Sequence, residues 1–126
     1  MPTILCIDDD PTILKLQKSI LEANGHTVLT APDGPTGITL AGRQSLDVVI
    51  LDFRMPGMDG GQVAEALLKE HPDLPIVMCT GFFDSVPEWL KWFAAAYLQK
   101  GDGPEVLLST IQAVIANKNL RRPVAA

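Results

Sequence analysis

Cysteine is nearly absent: the 126 residues hold only Cys6 and Cys79, each inside an apolar stretch with no Cys-x-x-Cys spacing and no neighbouring histidine. That excludes a disulfide framework and a thiolate zinc site, and both are read as small core residues. Histidine is as scarce. His26 and His71 stand alone beside Gly25 and Pro72, where ordinary turn histidines are expected. Basic residues are outnumbered ten to 15, which leaves a net charge of −5 and a pI near 4.8. Such a balance disfavours a phosphate backbone or an anionic bilayer, so direct nucleic-acid binding and membrane attachment are not expected. No apolar run approaches the roughly 20 residues of a membrane span, and Met1-Pro-Thr-Ile4 lacks the pattern of a signal peptide. The expectation is a soluble, cytoplasmic protein.

What is present is apolar. Hydrophobic residues make up 47% of a 13.6 kDa chain of mean hydropathy +0.19, and only 20% of residues are charged. This is enough material for one core and too little for two packed domains. There is no internal repeat, linker or low-complexity segment. One domain is expected over residues 1–118, with 119–126 as an aperiodic tail.

Apolar runs alternate with amphipathic stretches from end to end, the pattern of βα units and a parallel sheet covered by helices. The runs are Thr3–Ile7, Thr27–Ala31, Val48–Leu51, Ile76–Cys79 and a weaker Ala96–Gln99. The first helix is marked by Asp10 as N-cap, Pro11 in its first turn and Ile13, Leu14, Leu16, Ile20 and Leu21 at helical spacing. A weaker helix is expected over Pro35–Arg43. Asp59-Gly-Gly-Gln62 reads as a capping box opening a helix through Val63, Leu67 and Leu68. Ser85-Val-Pro-Glu88 and Asp102-Gly-Pro-Glu105 repeat that start signal, the last leading into Leu108, Ile111 and Ile115.

In an open parallel sheet, function gathers outside the carboxyl ends of the strands. Strand one runs into Asp8, Asp9 and Asp10, strand three into Asp52, strand four into Thr80 and strand five into Lys100. Clustered carboxylates resist ionisation unless a cation neutralises them, and a hard oxygen site of this type suits Mg²⁺. Asp8-Asp9-Asp10 alone would pass for a solvated turn with one helix cap. Asp52 is harder to dismiss, because it ends the apolar stretch Val48–Leu51, where an unpartnered carboxylate costs several kcal/mol. Carboxylates for a metal, one more to attack, and a hydroxyl and an ammonium for equatorial oxygens are the parts of phosphoryl transfer.

At these residues the chain resembles the response-regulator receiver domains of two-component signalling, over roughly residues 3 to 117. Leu51-Asp-Phe-Arg-Met-Pro-Gly-Met-Asp-Gly60 is similar to the family's phosphoacceptor motif and Ile4-Leu-Cys-Ile-Asp-Asp-Asp-Pro11 to its acidic opening. Cys79-Thr-Gly81 and Tyr97-Leu-Gln-Lys100 are similar to its later signatures. The resemblance implies a flavodoxin-like (βα)5 fold, a doubly wound α/β sheet in strand order 2-1-3-4-5. It implies that Asp52 takes the phosphoryl group, that Asp9 binds Mg²⁺ directly and Asp8 largely through water, and that the Arg54 carbonyl completes the ligands. Thr80 would hold a phosphoryl oxygen, Lys100 would pair with the acceptor, and Tyr97 would turn inward with Thr80 on switching.

The implied partners are a sensor histidine kinase or phosphotransfer protein and a downstream protein target. The surface of the fourth and fifth helices can also pair receivers into a homodimer. Such a protein promotes only its own phosphorylation and dephosphorylation and is otherwise no enzyme. Its alternative is an interaction module that keeps the fold without phosphorylation.

Three departures from the family pattern bear on this. Gly101 follows Lys100 where proline is usual, so that peptide is expected to be trans. The stretch from Thr80 to Lys100 is about two residues short, so the fourth helix, with Trp89, Trp92 and Phe93, is expected to be short or shifted. Arg54 and Phe82 stand where side chains can shield a phosphoryl group from water.

Overall fold

The computed structural model describes residues 1–81 and 83–120. In chain order the elements are β1 (Thr3–Ile7), α1 (Pro11–Ala23), β2 (Thr27–Ala31), α2 (Gly34–Arg43), β3 (Val48–Leu51) and α3 (Gly60–Glu70). Then come β4 (Ile76–Thr80), a 3-10 turn (Phe83–Ser85), α4 (Glu88–Phe93), β5 (Ala96–Gln99) and α5 (Pro104–Leu120). The five strands are all parallel and lie in the order β2-β1-β3-β4-β5, as the resemblance implied. Of the expected tail 119–126, residues 121–126 lie outside the described residues.

Alternation along the central strands builds two core layers. Leu5, Ile7, Val49, Leu51, Ile76 and Met78 face one side with Ala41, Val63, Leu67 and Leu90, so α2, α3 and α4 cover that face. Ile4, Cys6, Val48, Ile50, Val77 and Cys79 face the other with Leu14, Leu21, Leu107, Ile111 and Val114 of α1 and α5. A parallel strand covered on both faces must be apolar at every position, which explains the unbroken runs of the sequence.

The helix starts are uneven. Asp10 caps α1 by accepting the Thr12 N–H at 2.9 Å, with Pro11 in the first turn. Asp59 and Gln62 form the expected reciprocal capping box, each bond 2.9 Å. Asp33 caps α2 through Thr36 at 2.8 Å, a cap the sequence reading did not pick out.

Two expected caps fail. α4 opens on Pro87 with no side-chain cap, because the 3-10 turn takes up Ser85 before the helix begins. Asp102 turns its carboxylate back onto the Gln99 N–H at 2.9 Å, and α5 opens after Gly103, whose carbonyl accepts the Val106 and Leu107 N–H groups. Two expected apolar stripes also shift. Leu16 is 55% exposed while Gln17 is buried in its place, and the inner face of α5 is Leu107, Ile111 and Val114, with Leu108 and Ile115 at its flanks. Periodicity locates a helix more sharply than it fixes the helix's rotation.

One glycine positions the site. A side chain at Gly60 would meet the Asp52 carbonyl oxygen at 2.6 Å, and the Gly60 N–H donates to the Phe53 carbonyl at 2.7 Å. The first turn of α3 therefore sits directly on the backbone that leaves β3.

Candidate functional site

Parallel register brings the ends of β1, β3, β4 and β5 to one edge, where Asp8 follows β1, Asp52 follows β3, Thr80 closes β4 and Lys100 follows β5. The Asp8 N–H donates to the Ala31 carbonyl and the Asp52 N–H to the Ile7 carbonyl, so both residues are still held by the sheet as their side chains reach its rim. Asp8, Asp52 and Thr80 are each 2% exposed, whereas Asp9 is open to solvent. The Lys100 N–H donates to the Thr80 carbonyl at 3.3 Å, which pins the lysine beside the end of β4.

Oxygen atoms of Asp8, Asp9 and Asp52 lie within 4.8 Å of one another. Lys100 Nζ stands 3.2 Å from Asp8 Oδ2 and 3.1 Å from Asp52 Oδ2. The second contact pairs the charges without hydrogen-bond alignment, so the buried Asp52 Oδ2 has no hydrogen-bond donor among the described residues. Asp8 is better served, since its Oδ1 accepts the Asp10 N–H at 2.9 Å.

Burial and the neighbouring Asp8 charge push the Asp52 carboxyl up to about 6, against the pull of Lys100. Burial raises Asp8 as well, opposed by the Asp10 N–H and by Lys100. For Lys100, burial works against the charge, but the two carboxylates outweigh it and leave its pKa raised. One ammonium thus serves two buried carboxylates that disfavour each other's charge. Three carboxylates, a lone pair without a donor and an elevated acid fit a small hard cation with oxygen ligands such as Mg²⁺.

The remaining sequence candidates fall around this cluster. Tyr97 is half-buried on β5 and its hydroxyl donates to the Leu90 carbonyl at 3.4 Å, tying β5 to α4. Arg54 is exposed, and its Nη2 donates to Ser85 Oγ at 3.1 Å, joining the loop after β3 to the turn after β4. Sequence reading assigned Ser85 to a helix cap and missed this link, which no local pattern signals. Phe82, offered with Arg54 as a shield, lies outside the described residues.

Cys6 and Cys79 are buried, and burial pushes their thiols up to about 12 and about 11, which fits inert core residues. The described chain has no cis peptide bond, so Lys100–Gly101 is trans as expected, with Gly101 at φ +101°. Among the described residues, no helix is long and apolar enough to cross a membrane.

Comparison with known proteins places this geometry. Residues 4–112 match the family model of the response regulator receiver domain. The chain is 38% identical over 120 residues to the protein PilH of Pseudomonas aeruginosa, covering 92% of this chain and 99% of that one. It is 37% identical over 98 residues to the transcriptional regulatory protein GlrR of Escherichia coli, spanning 78% of this chain and only 21% of GlrR. Among solved structures, a receiver domain protein of Clostridium thermocellum superposes with a TM-score of 0.87 at 32% identity, over 95% of this chain and 98% of the other. The response regulator TrrA of Thermotoga maritima, solved with Mg²⁺-BeF, superposes with a TM-score of 0.84 at 30% identity, over 90% and 99% of the two chains.

Proposed function

We propose, for a chain that belongs to the response regulator receiver domain family, that Asp52 accepts a phosphoryl group in a Mg²⁺-dependent reaction and that the modified protein changes its partner binding. The donor is the phosphohistidine of a sensor kinase or phosphotransfer protein, or a small acyl phosphate. The observation that carries the reading is the Asp52 carboxylate: buried, with Oδ2 lacking a hydrogen-bond donor, and gathered with Asp8, Asp9 and Lys100.

Asp9, Asp8, Asp52 and the Arg54 carbonyl would hold Mg²⁺, which supplies charge neutralisation for acceptor and incoming phosphoryl oxygens alike. Asp52 attacks the phosphorus with a carboxylate oxygen, and the donor's imidazole or acyl oxygen leaves with the bonding electron pair. A nucleophile with a pKa of about 6 is largely ionised at neutral pH. Lys100 lies between Asp8 and Asp52 and needs little movement to pair with a phosphoryl oxygen, and the Thr80 hydroxyl at the end of β4 hydrogen-bonds another. Preorganised charges of this kind act where negative charge gathers. The phosphoryl group adds about −1.5 to −2 charges, which biases Thr80, Tyr97 and the adjoining α4.

The test is incubation with acetyl phosphate, with and without Mg²⁺, followed by intact-mass measurement. A single phosphoryl adduct that needs Mg²⁺ and is lost in Asp52→Asn is expected. An adduct retained in that variant overturns the assignment. One observation favours a second reading, an interaction module without phosphorylation: α4 already exposes Trp92 by 84% and Phe93 by 68% with Asp52 unmodified. Beryllofluoride separates the two readings, because a phosphate-independent module leaves Trp89 and Trp92 fluorescence unchanged while still binding its partner.

A further inference from the structure

A cavity opens at the edge of the sheet opposite the carboxylates, where β3 and β4 begin. Its volume is about 490 Å³, within the roughly 300–1,000 Å³ of small-molecule sites. One wall is the segment from Ala41 to Leu46 that leads from α2 into β3, and the other is the turn from His71 to Leu74 that leads from α3 into β4. Both walls are fixed by backbone bonds. The Gln44 N–H donates to the Leu40 carbonyl and the Leu74 N–H to the His71 carbonyl, each at 3.1 Å. Just past the first wall, Asp47 donates its N–H to the Thr3 carbonyl at 2.8 Å and accepts the Thr3 N–H with its carboxylate at 2.7 Å. The space exists before anything enters it, which lowers the cost of binding.

The lining is apolar at the floor and charged at two poles. Ala41 and Leu46 are buried, and Leu74 packs against the same core layer. Arg43 stands on the first wall and Asp73 on the second, both exposed. Among the described residues neither side chain forms an ion pair or a hydrogen bond, with the other or with anything else. Opposite charges that share a cavity without closing on each other leave a gap with one positive and one negative side, and electrostatic complementarity then selects a molecule of zero net charge that carries both signs. Reach sets its length. The cavity is about 10 Å across, whereas the two charges of a free amino acid flank a single carbon and those of two extended residues stand roughly 7 Å apart.

We infer that this cavity binds a zwitterion of dipeptide length, with its carboxylate at Arg43, its ammonium at Asp73 and its apolar side chains over Ala41, Leu46 and Leu74. The guanidinium holds a carboxylate through paired N–H donors, and the Asp73 carboxylate accepts from the ammonium. The site lies at the far ends of β3 and β4 from Asp52 and Thr80, so occupancy needs neither Mg²⁺ nor phosphorylation.

The test is a nitrogen-edited NMR titration of the full chain, without Mg²⁺ or phosphodonor, with leucyl-leucine as probe. The backbone amides of Gly42, Ser45 and Asp73 are expected to shift together and saturate in the millimolar range. Three analogues should each bind weaker by about tenfold or more: N-acetyl-leucyl-leucine, which lacks the ammonium, leucyl-leucine amide, which lacks the carboxylate, and free leucine, which is too short. The charge variants should act crosswise. Arg43→Gln is expected to erase the preference for the free carboxylate while keeping that for the free ammonium, and Asp73→Asn the reverse. A side chain at Gly42 would start in open space, so Gly42→Leu should fill the cavity and abolish the shifts without lowering the unfolding midpoint.

No saturable shift at these amides, or binding of the two capped peptides as tight as that of leucyl-leucine, overturns the inference in the wild-type protein, with no variant having to fold. Equal binding of free leucine overturns the dipeptide length. Preferences left intact by both charge variants overturn the assignment of the poles. Shifts confined to Asp8, Asp52 and Lys100 would put the peptide at the carboxylate edge and overturn the cavity as its site.

Discussion

Helices α1, α2 and α3 run to 13, ten and 11 residues and each opens on an aspartate that accepts a backbone N–H of the first turn, whereas α4 has six residues and opens on Pro87 without a side-chain cap. The first three bury several residues each. α4 buries only Leu90 and leaves Trp92 and Phe93 outside, Trp89 meeting Phe93 in a tilted pair with ring centroids 6.4 Å apart. The contrast teaches how the molecule divides its work. The part that carries the carboxylates is locked by caps and two-sided burial, which holds charges at fixed separations. The part that follows Thr80 is held by a few bonds, Arg54 to Ser85 and Tyr97 to Leu90 among them, so it can be re-set by small changes in free energy.

The sharpest break in this contrast comes from the core. Leu67→Ala in α3 removes a fully buried side chain and is expected to lower unfolding free energy by about 2–5 kcal/mol in urea melts. In hydrogen exchange, α4 amides should open well before the rest unfolds, while α3 amides in the wild type exchange near the global limit. Uniform protection across both helices would erase the distinction.

Next in size is Lys100→Ala. It removes the ammonium 3.1 Å from Asp52, and a fall of about 100-fold in the rate of acetyl phosphate labelling is expected, or roughly 2.7 kcal/mol in the barrier. Unfolding free energy provides the control, because loss of the ammonium leaves two mutually repelling carboxylates in the rigid half.

The pH dependence tests the same half. Asp52 moves from an ordinary 3.8 to about 6 on folding, so the native state holds this proton more tightly than the unfolded chain. Its contribution is fully favourable below about pH 4 and is lost as pH rises through about 6. For the metal-free protein this predicts a fall in stability on the order of 2 kcal/mol between pH 4 and 7. Asp52→Asn should remove most of that slope. An unchanged slope in the variant would mean that burial of Asp52 is not what opposes its charge.

Two smaller effects complete the comparison. Asp59→Ala deletes the carboxylate half of the α3 capping box and should cost about 1 kcal/mol, whereas Ser85→Ala should leave the melt nearly unchanged, since Ser85 caps no helix. Trp92→Ala should shift stability by less than about 0.5 kcal/mol, because the ring is almost wholly in solvent, and still weaken partner binding if α4 is the contact. An unfolding midpoint shifted as far as that of Leu67→Ala would show the ring to be structural.

All five strands, their parallel sense and the polar residues that follow them were legible in the chain, because two-sided burial writes continuous apolar runs, whereas the order 2-1-3-4-5 that brings Asp8, Asp52, Thr80 and Lys100 together came from the family resemblance alone. Asp10 and Asp59 were legible as caps because capping acts over two or three residues. Gln17 could have been found, since it stands three residues from Leu14 and four from Leu21 on the apolar stripe of α1. The Arg54–Ser85 bond and the turn of Asp102 toward Gln99 could not, since each depends on where separate segments end up.

The sequence alone therefore determined which residue types meet at the sheet edge, for spacing and burial are local properties of the chain. Only the tertiary structure decided how those groups share one ammonium, why Asp52 resists ionisation, which face of α1 turns inward and how little of α4 is covered. Those outcomes depend on distances between residues far apart in sequence and on solvent excluded by all of them together.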